Sequence, residues 1–383
     1  MLPEFGPSIF SEMTALAQEH SAINLAQGFP EFGPDPALLD AFHEALRTES
    51  AQYAPMPGLL SLRMAISADQ ERRNHLAYDP ANEITVVPGA TLGIFIALQA
   101  LTGPGDEVIL LEPAYDAYRP AVLAAGAQPV AVPLEYGADG FKVNWDRVAS
   151  AISPRTKAVL VNTPHNPTGM IWSGADWKRL ASLLPDHVLV LSDEVYEAMV
   201  FDGYSLESAH HVPELRERSL RILSFGKTYH VTGWKLGAVL GPDNLSRALR
   251  NIYQFAAFSA STPTQHAVQR FLVSHPDYAK GLPEFFERKR DVLAESLAKT
   301  GFRPIPTRGS YFILVDYSEV SQKSDRALAH QLTAEAGVAT VPLSPFFMGT
   351  PPEYRLLRLC FAKEDATLRD AGHRLSAWRP SYL

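Results

Sequence analysis

The sequence predicts an α/β fold, with a mostly parallel seven-stranded sheet covered by helices on both faces and a second, smaller α/β domain. The first observation is that, from about residue 84, short apolar segments alternate with helix-like segments. The second is that Gly, Pro and Asp bound these segments, which are mostly apolar, as in strands of a buried parallel sheet. The predicted strands are ITVV (84–87), EVILL (107–111), PVAVPL (129–134), KAVLVN (157–162), VLVLS (188–192), RILSF (221–225) and LGAVL (236–240).

Further along the chain, a helix predicted over 284–299 leads into the smaller unit. We therefore expect a large domain over 41–283 and a small domain formed by 1–40 and 284–383. The remaining predicted elements are helices over 91–101 and 175–184 in the large domain and, in the small one, a strand (311–315), a helix (325–336), two strands (338–341 and 356–361) and a final helix (365–378).

Charge and cysteine content narrow the functional classes. The 34 basic and 42 acidic side chains give a net charge of -8 without a dense basic cluster, so we expect no nucleic-acid partner. The single cysteine, Cys360, excludes an intramolecular disulfide and fits a reducing compartment. The longest apolar stretch, 94–101, is too short to span a bilayer, and the N-terminal segment lacks a signal-peptide pattern. We expect a cytoplasmic protein with no membrane partner and no metal site.

Polar or small residues follow five of the predicted strands. Gly89, Glu112, Asn162, Asp193 and Lys227 each stand at or just beyond the carboxyl end of a strand. Ligands of parallel α/β sheets bind beyond these ends. The sequence therefore predicts a ligand site at this edge of the sheet.

The segment SFGKTYHVTGWKLG (224–237) carries the most chemical information. Lys227 follows a strand and is enclosed by Ser224 and Lys235. A lysine in this setting can be a reactive amine that holds an aldehyde cofactor such as pyridoxal phosphate, while Ser224 and Lys235 hold the phosphate. The alternative is a solvated loop lysine.

A phosphate is best held by backbone amides at a helix N-terminus. Gly89, Ala90 and Thr91 open the helix predicted after ITVV and offer such amides. A glycine that merely turns the strand into the helix is the alternative interpretation. The segment GATLG lacks the GxGxxG spacing of a dinucleotide site.

The cofactor ring requires a carboxylate, hydrogen-bond donors and a stacking partner. Asp193, at the end of a buried strand, can keep the ring nitrogen protonated, although it could instead cap a helix. Asn166 and Tyr196 can donate to the phenolic oxygen, although NPTG is also ordinary turn sequence. Tyr115 can stack on the ring or belong to the core.

A guanidinium group can bind the carboxylate of an amino-acid substrate through two parallel hydrogen bonds. Arg358 lies within the apolar segment LRLCF and is the best-placed candidate. Arg355 is close enough in sequence that the pattern alone does not decide between the two.

In combination, eight segments resemble the class I pyridoxal phosphate aminotransferases, and more closely the bacterial methionine aminotransferases and the kynurenine and glutamine transaminases. The resemblance extends almost end to end and implies the aspartate-aminotransferase fold, also called fold type I. The segments are QGFP (27–30), QYAPMPG (52–58), PGAT (88–91), EPAYDAY (112–118), NTPHNPTG (162–169), SDEVY (192–196), SFGKTYHVTGWKLG (224–237) and LRLCFAKED (357–365).

This resemblance implies a role for each candidate residue. Lys227 would be the Schiff-base lysine and would also move the proton between the substrate Cα and the cofactor, and Asn162 would belong to the cofactor site. The other implied contacts are Asp193 with the pyridine nitrogen, Asn166 and Tyr196 with the phenolic oxygen, Tyr115 with the ring face, Gly89, Ala90, Thr91, Ser224 and Lys235 with the phosphate, and Arg358, Asn166 and the Gly28 backbone with the substrate carboxylate.

The resemblance also implies a homodimer, in which Tyr53 reaches the phosphate in the neighbouring subunit. It further implies cis peptide bonds at Glu112-Pro113 and Asn166-Pro167.

The expected reaction is ping-pong transamination between an amino acid and a 2-oxo acid. Phe29, Tyr53, Phe346 and Phe347 suggest an apolar substrate pocket, and no second arginine matches one that would bind a dicarboxylate side chain. Methionine or an aromatic amino acid is therefore expected in preference to aspartate.

Two departures from the family pattern bear on specificity: Leu92-Gly93 follows PGAT, and Ser261 lies within FSASTP. The alternative enzyme is a C–S β-lyase on the same scaffold. A transcription regulator with this fold would need a DNA-binding segment, and no basic helix-turn-helix precedes residue 27.

Overall fold

The computed structural model describes residues 6–379. The segments 1–5 and 380–383, which fall in the predicted small domain, lie outside the described residues. The seven predicted strands of the large sheet are present, with bounds that differ by at most two residues. The strands are, in chain order, β1 (Ile23–Asn24), β2 (Ile84–Val87), β3 (Glu107–Glu112), β4 (Gln128–Pro133), β5 (Glu135–Gly137), β6 (Gly140–Lys142), β7 (Thr156–Asn162), β8 (Leu189–Asp193), β9 (Ser219–Ser224), β10 (Gly237–Leu240), β11 (Arg303–Pro304), β12 (Phe312–Asp316), β13 (Val338–Ala339), β14 (Val341–Pro342) and β15 (Leu356–Cys360).

Several helices begin at a residue whose side chain accepts a hydrogen bond from the first turn, as Ser8, Asp35, Asn144, Ser173 and Ser324 do. None of the helices within 6–379 has the length and apolar character needed to cross a lipid bilayer. The helices are α1 (Ile9–Glu19), α2 (Pro36–Thr48), α3 (Leu60–Asn74), α4 (Ala90–Leu101), α5 (Tyr118–Ala124), α6 (Trp145–Ala151), α7 (Gly174–Leu183), α8 (Pro213–Arg216), α9 (Phe225–Thr228), α10 (Asp243–Ala256), α11 (Thr262–Ser274), α12 (Leu282–Leu297), α13 (Asp325–Gln331) and α14 (Asp365–Ala377).

The large sheet has the strand order β2-β10-β9-β8-β7-β3-β4. Strand β10 is antiparallel to both of its neighbours, and the other strands share one direction, so the predicted mostly parallel sheet is confirmed. Successive side chains enter different cores: Val86 and Ala238 pack with α2, α3 and α11, whereas Val87 and Val239 pack with α4 on the opposite face. The sheet is therefore covered on both faces, as the apolar strands predict.

The remaining strands form smaller sheets. Strands β11-β12-β15-β14 make an antiparallel sheet, and β5 and β6 make a hairpin that was not predicted. The single strand predicted over 338–341 is wrong: Thr340 separates two short strands, of which β13 pairs with β1 and β14 pairs with β15. The predicted helix over 325–336 begins as α13 and ends in a π-helical turn. A change of pairing partner within one continuous apolar run leaves no signal in the sequence.

Candidate active site

A cavity of about 280 Å³ opens at the carboxyl edge of the large sheet. Four of the five residues predicted at the strand ends line it. Glu112 does not; its Oε1 accepts a hydrogen bond of 2.6 Å from the Met348 backbone N–H. The predicted site residues that line the cavity are Gly28, Phe29, Gly89, Ala90, Thr91, Tyr115, Asn162, Asn166, Asp193, Tyr196, Ser224, Lys227, Lys235 and Arg358.

Lys227 lies in the short helix α9, which follows β9 directly. Its Nζ donates to the Tyr311 hydroxyl at 2.7 Å and to the Gly28 carbonyl at 3.2 Å. Burial lowers the pKa of this amine to about 8, so roughly a tenth of it is neutral at pH 7, far more than for an ordinary lysine. The alternative of a solvated loop lysine is therefore wrong, and the side chain has the properties of a nucleophilic amine.

Asp193 ends β8 and lines the cavity. Its Oδ2 accepts a hydrogen bond of 2.5 Å from the Tyr118 hydroxyl, and its Oδ1 accepts one of 3.3 Å from the Val195 backbone N–H. Burial raises the pKa of the carboxyl group to about 6, and the Tyr118 hydroxyl acts in the opposite direction. A turn, not an α-helix, follows Asp193, so the helix-cap alternative is excluded.

Asn162 connects the segment that contains Asp193 with the segment that contains Asn166. Its Nδ2 donates to the Asp193 carbonyl at 2.9 Å, and its Oδ1 accepts from the Asn166 backbone N–H at 2.7 Å. The Asn166 Oδ1 in turn accepts from Arg358 Nη1 at 2.8 Å. The predicted cis peptide bonds at Glu112-Pro113 and Asn166-Pro167 are present, and Thr163-Pro164 is also cis.

Arg358 is buried in the wall of the cavity. Its Nη2 donates to the Ala26 carbonyl at 2.8 Å, and its guanidinium lies 3.9 Å from the ring centroid of Phe312. Among the described residues, its buried Nε has no hydrogen-bond partner. Burial lowers the pKa of Arg358 to about 10, so the group stays cationic at neutral pH and is suited to a bound anion.

Arg355, the alternative, does not line the cavity. It precedes β15 and donates from Nη1 to the Ser321 carbonyl at 3.2 Å. The geometry therefore favours Arg358 for the substrate carboxylate.

The N-terminus of α4 faces the same cavity. Gly89 precedes the helix with φ at 85°, and a Cβ there would lie 3.3 Å from the Lys235 Nζ. Ser224, at the end of β9, lines the cavity beside them. Backbone amides, a hydroxyl and an ammonium group together form a suitable site for a phosphate.

Two tyrosines among the predicted residues also line the cavity. Tyr196 is buried and packs edge-on against Tyr311, with the ring centroids 5.1 Å apart. Burial raises the pKa of Tyr196, so its hydroxyl keeps a proton to donate. Tyr115 is half-buried and packs edge-on against Tyr118.

Two predicted site residues lie outside the cavity lining. Tyr53 is 82% exposed and packs edge-on against Phe258. Phe346 is buried beside Arg358, with its ring centroid 5.5 Å from the guanidinium, and it lines a neighbouring groove together with Phe347. Neither Phe346 nor Phe347 borders the cavity itself.

Sequence reasoning missed several residues at or beside the site. Phe10 and Gln27 line the cavity; Phe10 lies in none of the eight segments, and Gln27 belongs to QGFP but was given no role. Tyr118 stands three positions after Tyr115 in EPAYDAY, a spacing that could have drawn attention to it. Tyr311 stands at the start of an apolar strand segment and gave no signal of its contact with the reactive lysine.

The donors and acceptors of the cavity fit pyridoxal 5′-phosphate. The phosphate site lies at the N-terminus of α4, Asp193 supplies a buried carboxylate, and Lys227 supplies an amine with a lowered pKa. Arg358, with its buried Nε lacking a partner among residues 6–379, supplies a separate site for a carboxylate.

Comparison with known proteins identifies the family. A family model described as aminotransferase class I and II matches residues 20–375. The methionine aminotransferase of Escherichia coli is 42% identical over 377 residues, covering 98% of this chain and 96% of that protein. The human kynurenine–oxoglutarate transaminase 1 is 34% identical over 406 residues, covering 96% of this chain and 95% of that protein.

Solved structures agree with these relatives. A crystal structure of YbdL from Escherichia coli, described as having methionine aminotransferase function, superimposes with a TM-score of 0.94 at 40% identity and covers 99% of this chain and 100% of that one. A mutant aspartate aminotransferase of Thermus thermophilus gives a TM-score of 0.88 at 30% identity, with 97% of each chain covered. The chain thus has the aspartate-aminotransferase fold and belongs to the class I and II aminotransferases, enzymes that depend on pyridoxal 5′-phosphate.

Proposed function

We propose that this aminotransferase moves an amino group from methionine or another large apolar or aromatic amino acid to a 2-oxo acid, with kynurenine and glutamine as further candidate donors. The observation that carries the proposal is the position of Arg358, whose buried guanidinium lies against the ring of Phe312 in the cavity that Lys227 and Phe29 also line. This arrangement suits an α-carboxylate next to an uncharged side chain. The named functions of the Escherichia coli and human relatives support the same donor class.

We further propose which residues hold the cofactor. Lys227 binds its aldehyde carbon, Asp193 its ring nitrogen, and Asn166 and Tyr196 its phenolic oxygen. The face of Tyr115 packs on the ring. When bound, the cofactor supplies a ring that accepts electrons from the substrate Cα. The phosphate ligands are Gly89, Ala90, Thr91, Ser224 and Lys235.

Each protein group then has a defined task. Asp193, ionised above its pKa of about 6, keeps a proton on the ring nitrogen. The Lys227 amine, with its pKa of about 8, takes the proton from the substrate Cα. It then delivers that proton to the cofactor carbon that is bonded to the transferred nitrogen. Arg358 and the Asn166 side chain fix the carboxylate and therefore the Cα position. Asn162 positions the Asp193 and Asn166 backbones through the two hydrogen bonds of its amide.

Donor and acceptor are proposed to use the same carboxylate site in turn. Among the described residues that line the cavity, Arg358 is the only arginine. The donor must therefore leave as its 2-oxo acid before the acceptor binds, which gives ping-pong kinetics. The lack of a second arginine in this lining also argues against a preference for aspartate as the donor.

A donor panel tests the function directly. Purified enzyme is assayed with methionine, phenylalanine, tyrosine, kynurenine, glutamine and aspartate against several 2-oxo acids. Methionine or an aromatic donor is expected to give the highest kcat/KM, with parallel lines in double-reciprocal plots. A preference for aspartate would overturn the donor assignment, and release of ammonia and a 2-oxo acid without an acceptor would indicate a lyase.

We propose a homodimer in which Tyr53 contacts the phosphate bound by the other subunit. Tyr53 and Phe255 are 82% and 87% exposed, which is unusual for aromatic side chains of this size. The test mixes Lys227→Ala with Tyr53→Ala under conditions that exchange subunits, at a cofactor concentration low enough that each variant alone is inactive. If Tyr53 acts across the interface, a mixed dimer contains one intact site and regains activity. If it acts within its own subunit, the mixture stays inactive.

The division into a large domain over 41–283 and a small domain from 1–40 and 284–383 is also a proposal. Pairing of β1 with β13 supports the assignment of the N-terminal segment to the small domain. Residues 40 and 283 lie inside α2 and α12, so limited proteolysis is expected to cut first in the irregular segments next to these helices, 29–35 and 275–277. First cuts inside β7, β8 or β9 would contradict these boundaries.

A further inference from the structure

Tyr311 is a buried tyrosine that the roles proposed above leave unused. It directly precedes β12 and is fully buried, and its ring packs against Tyr196 and Phe286. Its hydroxyl lies 2.7 Å from the Lys227 Nζ and 2.7 Å from the Gly28 carbonyl oxygen. If Tyr311 served only to fill the core, the hydrogen bond from its hydroxyl to the Gly28 carbonyl would satisfy it, and the contact with Lys227 would not be needed.

The directions of these hydrogen bonds are determined by the available protons. Burial raises the pKa of Tyr311 well above its ordinary value, so the phenol keeps its one proton. That proton goes to the Gly28 carbonyl, which has none of its own to donate. With that proton engaged, Tyr311 Oη accepts from Lys227 Nζ.

A neutral lysine amine has two N–H bonds and one lone pair. Tyr311 Oη and the Gly28 carbonyl oxygen lie 2.7 Å and 3.2 Å from Lys227 Nζ and only 2.7 Å from each other, so both occupy the same side of the nitrogen. One N–H bond directed at this pair leaves the other N–H and the lone pair pointing away from it. Lys227 lines the cavity whereas Tyr311 does not, so the hydrogen bond to Tyr311 holds the amine from the wall side.

We propose that Tyr311 is a positioning residue for Lys227: together with the Gly28 carbonyl, it holds the free amine so that the lone pair faces the substrate Cα. This inference rests on the proposed function in one respect, because it takes Lys227 as the reacting amine. The proton of the Cα–H bond passes to that lone pair, and Tyr311 itself gains and loses no proton.

The test compares wild type with Tyr311→Phe, which keeps the ring and removes the hydroxyl. In cofactor-free protein, Lys227 is methylated with formaldehyde and cyanoborohydride across the pH range, and its peptide is quantified by mass spectrometry. The midpoint is expected to fall in the variant, because the lost acceptor stabilised the ammonium form. In the holoenzyme, kcat is expected to fall about 10-fold or more with donor KM unchanged within about twofold.

Tyr317→Phe is the matched control, because Tyr317 is also buried and its hydroxyl donates to the Lys323 carbonyl at 3.1 Å. It should keep the wild-type kcat and midpoint. A Tyr311→Phe protein with wild-type kcat and midpoint overturns the inference. The inference is also overturned if Tyr311→Phe and Tyr311→Leu both lose melting temperature and kcat while the Lys227 midpoint stays fixed, since the loss of activity would then come from a less stable fold and not from the contact with Lys227.

Failure of the proposed function has a separate signature. Borohydride reduction of the holoenzyme followed by peptide mapping should place the cofactor on Lys227. If another lysine carries it, the assignment of Lys227 fails, whatever Tyr311→Phe does.

Discussion

The hydroxyl of Tyr118 donates a 2.5 Å hydrogen bond to Oδ2 of Asp193, in a site where burial raises the pKa of that carboxyl group. The bond favours the ionised carboxylate and partly offsets the cost of burying it. The two residues come from different parts of the chain: Asp193 ends β8 and Tyr118 begins α5.

Tyr118→Phe is expected to raise the pKa of Asp193 further above about 6, because the donor to the carboxylate is lost. In cofactor-free protein, the pH range over which Asp193 lowers the stability, measured against Asp193→Asn in each background, should therefore extend to higher pH. Loss of a hydrogen bond to a charged group corresponds to about 10-fold weaker cofactor binding. Tyr253→Phe is the control, because the buried Tyr253 hydroxyl has no partner among the described residues. An unchanged pH range in Tyr118→Phe would contradict the prediction.

Asp193→Asn should change how the stability of cofactor-free protein depends on pH. The folded pKa of about 6 lies above the unfolded value of about 3.9, so the folded state binds this proton more tightly. Asp193 therefore makes wild type lose stability as pH rises from about 4 to about 6, by roughly 3 kcal/mol.

The measurement is urea unfolding of both proteins at pH 4, 6 and 8. The difference in free energy of unfolding between Asp193→Asn and wild type should increase from pH 4 to pH 6 and then level off. A difference that stays constant with pH would show that Asp193 has an ordinary pKa.

Arg358→Lys tests the carboxylate site while conserving the charge. Lysine cannot reproduce two parallel hydrogen bonds from a planar fork, and its ammonium cannot reach the Asn166 and Ala26 oxygens in the same way. We expect kcat/KM to fall about 100-fold, mostly through KM. Arg355→Lys, outside the cavity, should retain kcat/KM within about threefold. Similar losses in both variants would refute the assignment.

Lys235→Met should weaken cofactor binding through loss of a charge at the phosphate site. The dissociation constant measured by titration of cofactor-free protein is expected to increase about 10- to 100-fold. Because the interaction is electrostatic, the difference from wild type should shrink as salt is added. At saturating cofactor, kcat should change little. Lys178→Met, at an exposed position of α7, is the control.

Arg221 anchors a buried ionic network behind the cavity. It is fully buried and bonded to Glu194, Glu197 and Gln70. Arg221→Met leaves the buried Glu194 without its cationic partner, whereas Glu197 keeps its ion pair with Arg73, and the change is expected to cost about 3–5 kcal/mol of unfolding free energy. The double variant that adds Glu194→Gln should recover part of that loss. If the double variant is no more stable than the single one, uncompensated charge is not the cause.

The sequence predicted what depends on local pattern. The strands of the large sheet, the edge at which Asp193 and Lys227 meet, and the arginine of the apolar segment LRLCF could all be predicted from it. The partners of these groups could not. Tyr118 and Tyr311 lie in ordinary aromatic surroundings in the sequence, and their roles arise only when folding brings their hydroxyls to Asp193 and Lys227.

The same limit applies to Arg221. It was assigned to a strand, which is correct, but its carboxylate partners lie 24 and 27 positions away in the sequence. Likewise, the exchange of partner sheets at Thr340 depends on which strand lies alongside, and hydropathy does not encode that.

Strand β10 runs antiparallel to β9, and this explains how one short segment can place two lysines with different proposed roles in the same site. A strand parallel to β9 would have to begin at the opposite edge of the sheet, so the chain would first have to cross the sheet. Here the connection over 225–236 stays at the edge where β9 ends, and Gly237 pairs directly with Ser224. Lys227 and Lys235, eight positions apart, thus stay at the same edge. One direction reversal therefore sets the spacing between the covalent and the phosphate-binding ends of the proposed site.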